Sequence, residues 1–278
     1  MNFKRDQFPL KNDNPSVFDV MILDSSDLEK LPSPEQILNE IEKAVLSGTS
    51  EASELIRQTG LEKKIQEAKR NILFLKKEDV VTYINVTSYL NNPDYQGYSE
   101  AEKMGGLYDP ASGKIGILID SLEIDTRPDF TKAHILNAIS HELLHSLAKN
   151  LSITWLNEAI TERLTQGLVR DVISSSKEWN DTLVNLSEKE DDFIRLGAYG
   201  EERSGLYELS ETILDESAVY TDLPRGNYKE RARSESVVFK ENFGMLYFTG
   251  DLSALEKNLP EIGYSSISEL ETLDPGVS

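Results

Sequence analysis

The residues of this chain that are best suited to chemistry lie in one short segment, His141-Glu142-Leu143-Leu144-His145. The chain has three histidines, and two of them fall in this HExxH pattern. A random arrangement would produce such a match roughly 0.003 times, so chance does not explain it. Residues four apart on a helix lie one above the other, so both imidazoles can reach one metal ion. Glu142 lies about 100° around the helix from His141, where it can hold a metal-bound water as a general base.

The helix that carries this pattern leaves its histidine face free. On a helical wheel, Ile139 and Leu143 lie opposite His141, so the apolar stripe points away from the histidines. Ala138 is small and leaves room on the histidine face. His134 lies on the same face as His141, about 10 Å before it along the helix axis, which is too far to bind the same ion. We expect a structural role for His134, with substrate contact as the alternative.

A zinc site needs a third protein ligand, and the candidates lie in the next segment, residues 155–162. Glu158 and Glu162 stack four residues apart on one face of a predicted helix, opposite its apolar stripe. If the two helices form an antiparallel hairpin, Glu158 lies at the height of His145. Glu158 is therefore the candidate third ligand. Glu162, one turn further, is placed to accept the outer N–H of His141 and fix its tautomer.

Together, these segments resemble the gluzincin metallopeptidases. The thermolysin-type pattern is HExxH followed by Asn-Glu-Ala-x-Ser/Thr-acid, and this chain has Asn157-Glu158-Ala159-Ile160-Thr161-Glu162 after its HExxH. The resemblance covers residues 133–166. Twelve residues separate His145 from Glu158, fewer than in the thermolysin type, so a broader gluzincin-like set is indicated. The resemblance implies a zinc peptidase in which His141, His145 and Glu158 bind Zn²⁺, Glu142 is the base, and Glu162 and Asn157 support the ligands.

The same resemblance implies a substrate-binding strand. Gluzincins have a strand beside the cleft, just before the motif helix, that pairs with an extended peptide. Residues 114–120 occupy that place in the chain order, so we expect this strand to be an edge whose main chain binds substrate, with Ile117 and Leu118 at the contact.

Gluzincins also use a downstream His or Tyr to stabilise the oxyanion. No histidine follows His145, so a tyrosine has to serve here. The candidates are Tyr199, Tyr207 and Tyr247. We favour Tyr199 because Glu202 and Arg203 lie close to it in a helical context.

The composition excludes several other classes. A net charge of -20 and a pI of about 4.6 give a surface that repels phosphate backbones and anionic lipid. We therefore expect a peptide or protein substrate, and neither nucleic acid nor membrane as a partner. The absence of cysteine excludes disulfides, cysteine-bearing zinc modules and a Cys nucleophile. No stretch of about 18 apolar residues occurs, which favours a soluble, cytoplasmic protein.

The expected fold class is α+β. A small mixed or antiparallel sheet and a zincin-like active-site helix form the lobe of residues 1–150. A mostly helical lobe, residues 151–278, follows and carries the third metal ligand. The predicted elements are helices over 34–47, 51–59 and 61–76, a strand over 80–87, hairpin arms over 106–108 and 114–120, and helices from about 129 onward.

Other interpretations stay open beside the peptidase. The histidines can be a solvated pair on a surface helix, and Glu158 an ordinary exposed glutamate. The metal site can be structural or inactive, in a helical module that acts in binding or regulation. The reaction can also be another amide hydrolysis, such as deformylation, with Fe(II) as the ion. An open fourth coordination position distinguishes a hydrolytic site from a structural one.

Overall fold

A computed structural model describes residues 22–91, 105–149, 151, 153–187 and 200–272 of the chain. The strands are β1 (Ile72–Lys76), β2 (Gly106–Asp109) and β3 (Lys114–Ile119). The α-helices are α1 (Ser25–Leu28), α2 (Pro34–Ser47), α3 (Glu51–Thr59), α4 (Glu62–Ala68), α5 (Lys77–Asn91), α6 (Ser121–Thr126), α7 (Pro128–Leu147), α8 (Thr154–Ser175), α9 (Lys177–Ser187), α10 (Gly200–Glu216), α11 (Tyr228–Phe239), α12 (Met245–Thr249), α13 (Ser253–Asn258) and α14 (Ile267–Leu270). Short 3₁₀ helices span Ala218–Tyr220 and Leu259–Ile262, and a π-helix spans Lys240–Gly244. The predicted α+β class is confirmed.

The three strands form one mixed sheet in the order β1-β3-β2. β3 pairs in parallel with β1 and antiparallel with β2. The predicted hairpin between β2 and β3 is confirmed. Its turn closes where Gly113 adopts φ 70° and donates its N–H to the carbonyl of Asp109 at 2.8 Å. Among the described residues β2 pairs on one side only, so it is an edge of the sheet.

Two elements predicted from the sequence are wrong. The helix expected over 61–76 ends at Ala68, and Ile72–Lys76 forms β1 because its apolar residues are buried by parallel pairing with β3. The strand expected over 80–87 lies within α5. Acidic residues in the first turn of α5 favour a helix N-terminus, and Val80 is buried against the sheet from the helix. Tertiary packing overrides the β propensity of this segment.

The motif helix α7 lies between the sheet and α8. It packs against β2 and β3 on one side and against α8 on another. Burial lowers the pKa of His134, and its neutral imidazole contacts the carbonyl of Leu118 through Nε2 at 3.2 Å. This contact joins α7 to the central strand. It supports the expected structural role of His134, which stays a prediction.

The second helix of the site, α8, is held by an ionic cluster. Arg163 contacts Glu51 on α3 at 2.6 Å and Glu235 on α11 at 2.5 Å, and its guanidinium lies 3.9 Å from the ring centre of Phe239. These contacts fix α8 against two other helices.

A single apolar cluster runs through most of the described elements, from Leu23 to Leu270. The two lobes expected from the sequence, residues 1–150 and 151–278, share this cluster, and the division between them stays a prediction. None of the described helices is long and apolar enough to cross a membrane.

Candidate metal centre

The structure brings the three predicted metal ligands together. Nε2 of His141 and Nε2 of His145 lie 3.1 Å apart, and Oε2 of Glu158 lies 3.4 Å from each of them. Zinc bonds of about 2.0 to 2.2 Å at tetrahedral angles separate neighbouring ligand atoms by about 3.3 to 3.6 Å. The three atoms therefore already outline one face of a coordination tetrahedron.

Local helix geometry explains this convergence. His141 and His145 are one turn apart on α7, so their rings project from the same side of the helix. On α8, the earlier residue Asn157 lies near His145 and the later residue Glu162 lies near His141, which shows that the two helices run antiparallel. Glu158 then faces both imidazoles. The predicted hairpin of helices is confirmed.

Burial and charge at the site favour a cation. The side chains of His141, His145 and Glu158 are 12%, 14% and 22% exposed. Burial opposes the charged form of Glu158, but its polar contacts with His141 and His145 outweigh that effect and lower its pKa to about 2. Oε2 of Glu158 is buried and makes no well-aligned hydrogen bond with any described residue. A buried, ionised oxygen that points at two imidazole nitrogens fits a divalent ion.

The surroundings of His141 also favour a positive charge at the site. Burial lowers the pKa of His141, but contacts with Glu158 and Glu162 outweigh that effect and raise the pKa to about 9. Without a metal, a proton on His141 therefore supplies the positive charge beside Glu158 at neutral pH. A divalent ion at the same place has to displace this proton.

Polar groups lie behind both imidazoles, and the one behind His141 is Glu162, as the sequence predicts. Oε2 of Glu162 lies 3.7 Å from Nδ1 of His141, and Gln166 donates to the other oxygen of Glu162 at 3.0 Å. Behind His145, its Nδ1 lies 3.5 Å from the side-chain amide of Asn157. Oδ1 of Asn157 is buried and has no partner among the described residues. A 180° turn of this amide would make Oδ1 an acceptor for the Nδ1–H of His145.

Glu142 lies beside the ligand cluster and not within it. Its carboxylate is buried and interacts electrostatically with His141, His145 and Glu158. Burial raises the pKa of Glu142 above its ordinary value. The side chain packs against the backbone of β2, where a Cβ added to Gly106 would lie 2.7 Å from Cγ of Glu142. Sequence reasoning gave Gly106 only a place in the hairpin, because its contact with Glu142 depends on how the sheet packs on α7.

The predicted substrate strand is wrong in one respect. β3 is the central strand, with β1 and β2 on its two sides, so its main chain is already paired. Ile117 and Leu118 are 0% and 1% exposed and belong to the apolar interior. The edge near the motif helix is β2, one strand away from the position expected. The error follows from β1, which the sequence patterns did not reveal as a strand.

The three candidate tyrosines have different outcomes. Tyr199 lies outside the described residues, so its role stays a prediction. Tyr207 is 47% exposed, and its electrostatic neighbours are Glu211, Arg231, Glu235 and Tyr228. Tyr247 is fully buried behind His145, with its hydroxyl 2.7 Å from Oγ1 of Thr161. The Tyr247 hydroxyl is thus linked through Thr161 to the Nδ1 side of His145, and Glu158 and Glu142 are its electrostatic neighbours.

None of the protein-family models, curated proteins or solved structures compared with the chain matches it. The resemblance to gluzincins therefore depends on the motif residues alone.

Proposed function

We propose that this protein is a zinc-dependent hydrolase that cleaves peptide bonds. The observation that carries the proposal is the set of three converging ligand atoms from His141, His145 and Glu158, to which the described residues add no fourth His, Asp or Glu ligand. Structural zinc sites are closed by four protein ligands, whereas hydrolytic sites use three and keep one position open. The arrangement supports the hydrolytic alternative over a structural metal site.

The donor set suits hydrolysis. A zinc ion held there supplies Lewis acidity and makes a water molecule more acidic. Two neutral imidazoles and one carboxylate leave a net positive charge near +1, which preserves that acidity. Glu162 and Asn157, behind the imidazoles, keep the ring nitrogens that face the ion unprotonated.

Glu142 is the proposed general base. Its buried carboxylate has a raised pKa, which moves it closer to neutral pH, where a base and an acid are both effective. Glu142 takes a proton from the attacking water and returns it to the leaving amine. Its place beside the ligand cluster, against the edge strand, supports this role.

The position of β2 supports a peptide as substrate. β2 is an edge among the described residues, and Gly106 on this strand contacts Glu142. An extended peptide can add to such an edge through main-chain hydrogen bonds. Its scissile bond would then pass close to the base and the ligand cluster. This relationship favours peptide hydrolysis over hydrolysis of a small amide.

The test compares metal content and hydrolysis in purified proteins. We expect about one zinc per wild-type chain and cleavage of a fluorogenic peptide library. Glu142→Gln should keep the zinc and lose at least about 100-fold in rate, because only the proton transfer is removed. Unchanged hydrolysis by Glu142→Gln would remove Glu142 from the mechanism.

Two further variants separate the ligand from a general charge effect. Glu158→Ala should lose the zinc, because one of three ligands is gone. Glu216→Gln changes an exposed glutamate on α10 and should keep both zinc and hydrolysis. Bound zinc with no cleavage by the wild type would support a structural or inactive site. Bound iron in place of zinc would change the identity of the proposed metal and would still support the three proposed ligands.

A further inference from the structure

Tyr247 is a fully buried polar side chain that the proposed hydrolysis does not use. Its hydroxyl lies 2.7 Å from Oγ1 of Thr161, and Thr161 donates its own proton to the carbonyl of Asn157 at 2.7 Å. A hydroxyl has one proton and two acceptor lone pairs. Since the Thr161 proton is committed to Asn157, Tyr247 is the donor in its contact with Thr161. One lone pair of Thr161 then remains.

The remaining lone pair is near the metal ligand His145. Oγ1 of Thr161 lies 3.5 Å from Nδ1 of His145. When Nε2 of a histidine binds a metal, Nδ1 carries the proton and needs an acceptor. Thr161 can supply that acceptor, shared with the turned amide of Asn157 at the same distance, because the proton of Thr161 points elsewhere. Threonine in a helix divides between two side-chain rotamers, and the hydrogen bond from Tyr247 favours the one that presents Oγ1 to His145.

Tyr247 is itself held in place by both helices of the site and by an irregular segment. Its carbonyl accepts the N–H of Lys149, just beyond α7, at 2.7 Å, while its hydroxyl contacts α8. It follows the π-helix Lys240–Gly244, whose wider turns change the direction of the residues after it relative to α11. Asn242 within this π-helix is buried and bonded to Tyr220 and Asn258 at 2.8 Å each. The π-helix is thus a fixed element that directs Tyr247 towards α8.

We propose that Tyr247 is a positioning residue of the metal centre, which acts through Thr161 to hold His145 with its Nε2 lone pair towards the ion. This inference rests on the metal site of the proposed function and not on peptide hydrolysis. It gives the α11–α12 segment a role at the centre, although that segment supplies none of the three ligands.

The test removes one hydroxyl at a time. Tyr247→Phe keeps the aromatic ring and its edge contact with Phe248, whose centroid lies 5.0 Å away. Thr161→Val keeps the shape of the threonine and removes its hydroxyl acceptor beside His145, while Asn157 stays in place. Thr165→Val is the matched control, because Thr165 is also buried on α8 and donates to the carbonyl four residues before it at 2.8 Å. The zinc dissociation constant is measured by competition with a chromophoric chelator, and the His145 tautomer by ¹⁵N spectra of the zinc-loaded protein.

We expect Tyr247→Phe and Thr161→Val each to weaken zinc binding by about tenfold or more, and Thr165→Val to leave it unchanged. The double variant Tyr247→Phe/Thr161→Val should bind zinc no more weakly than Thr161→Val alone, because both changes break one chain of hydrogen bonds. The ¹⁵N signal of Nδ1 in His145 should shift in both single variants and stay in the control.

Wild-type zinc affinity in Tyr247→Phe would overturn the inference, and so would losses that multiply in the double variant. If Tyr247→Phe does not fold, Thr161→Val decides, since unchanged zinc affinity and an unchanged His145 spectrum in that variant would overturn the proposal. If the wild-type protein binds zinc but cleaves no peptide, the proposed peptidase activity is wrong and this inference is unaffected. A wild type that binds no zinc would remove both.

Discussion

Gly106 on the edge strand and Glu142 on the motif helix are packed so closely that Gly106 has no room for a side chain. A Cβ there would lie 2.7 Å from Cγ and 2.8 Å from Oε1 of Glu142. The strand and the proposed base therefore approach each other only because this residue is glycine.

Gly106→Ala should displace the carboxylate of Glu142 and reduce peptide hydrolysis by about 10- to 100-fold, since small displacements of a reacting group cost large factors in rate. Zinc content should stay at the wild-type level, because the ligands lie elsewhere. Gly226→Ala is the control. Its Cβ would also meet a glutamate, Glu230, but Gly226 is exposed and the far end of that side chain can move away. Equal rates for the two variants would show that Glu142 does not need its present position.

Zinc affinity should depend steeply on pH. The pKa of His141 is raised to about 9 in the metal-free protein, so zinc has to displace a proton at neutral pH. We expect the apparent association constant to rise about tenfold per pH unit from about pH 7 to about pH 9 and then to level off. Competition titrations corrected for protonation of the chelator measure this slope. An affinity that is constant from pH 7 to 9 would contradict release of a proton from His141.

The metal-free protein should lose stability over the same range of pH. The pKa of His141 is raised from 6.5 in the unfolded chain to about 9 in the folded one. The stability gained from protonation is therefore complete below about pH 6.5 and is lost as the pH rises through about 9. Urea unfolding in a strong chelator should show this decline, and His141→Asn should remove it. A metal-free protein whose stability rises between pH 7 and 9 would argue against the assigned charge state.

Arg163 should matter for stability because it bonds two carboxylates and lies over an aromatic ring. Arg163→Ala leaves Glu235, whose side chain is 5% exposed, without its ionic partner. We expect a loss of about 3 to 5 kcal/mol in the free energy of unfolding. Arg170→Ala, at an exposed position on the same helix, should change it by less than about 0.5 kcal/mol. If urea unfolding shows similar losses in the free energy of unfolding for both variants, the Arg163 cluster contributes no more to stability than an exposed arginine does.

The convergence of the three candidate metal ligands could be predicted from the sequence because their arrangement is local. His141 and His145 are one helical turn apart, and Glu158 follows on the next helix after a short connection, so helix geometry alone brings the three close. The positions of Glu162 and Asn157 behind the imidazoles follow from the same antiparallel pairing.

The sheet could not be predicted as well, because it depends on contacts between distant segments. Ile72–Lys76 is a short apolar run that suits a strand or a buried helix equally, and pairing with β3 decides for the strand. Once β1 is in place, β3 becomes central and cannot be the substrate edge. The helical state of α5, too, depends on packing that its β-branched residues do not indicate.

Tyr247 shows a third limit of sequence reasoning. The resemblance to gluzincins makes Tyr247 a candidate for oxyanion stabilisation, and the structure adds a link through Thr161 to Nδ1 of His145 that the sequence does not indicate. Its contact with Thr161 joins residues 86 positions apart and follows a π-helix. Neither helical periodicity nor a short motif predicts a π-helix or a contact between residues so far apart in the sequence.

The hydrogen bonds of Tyr247 have a consequence for the newly synthesised chain. Translation delivers α7 and α8 first, so the two imidazoles and the carboxylate can meet while α11, the π-helix and α12 are still missing. The hydroxyl behind His145 and the acceptor for Lys149 arrive only with α12. An ion captured by the nascent protein would therefore be held loosely at first and retained firmly after the later segment has docked.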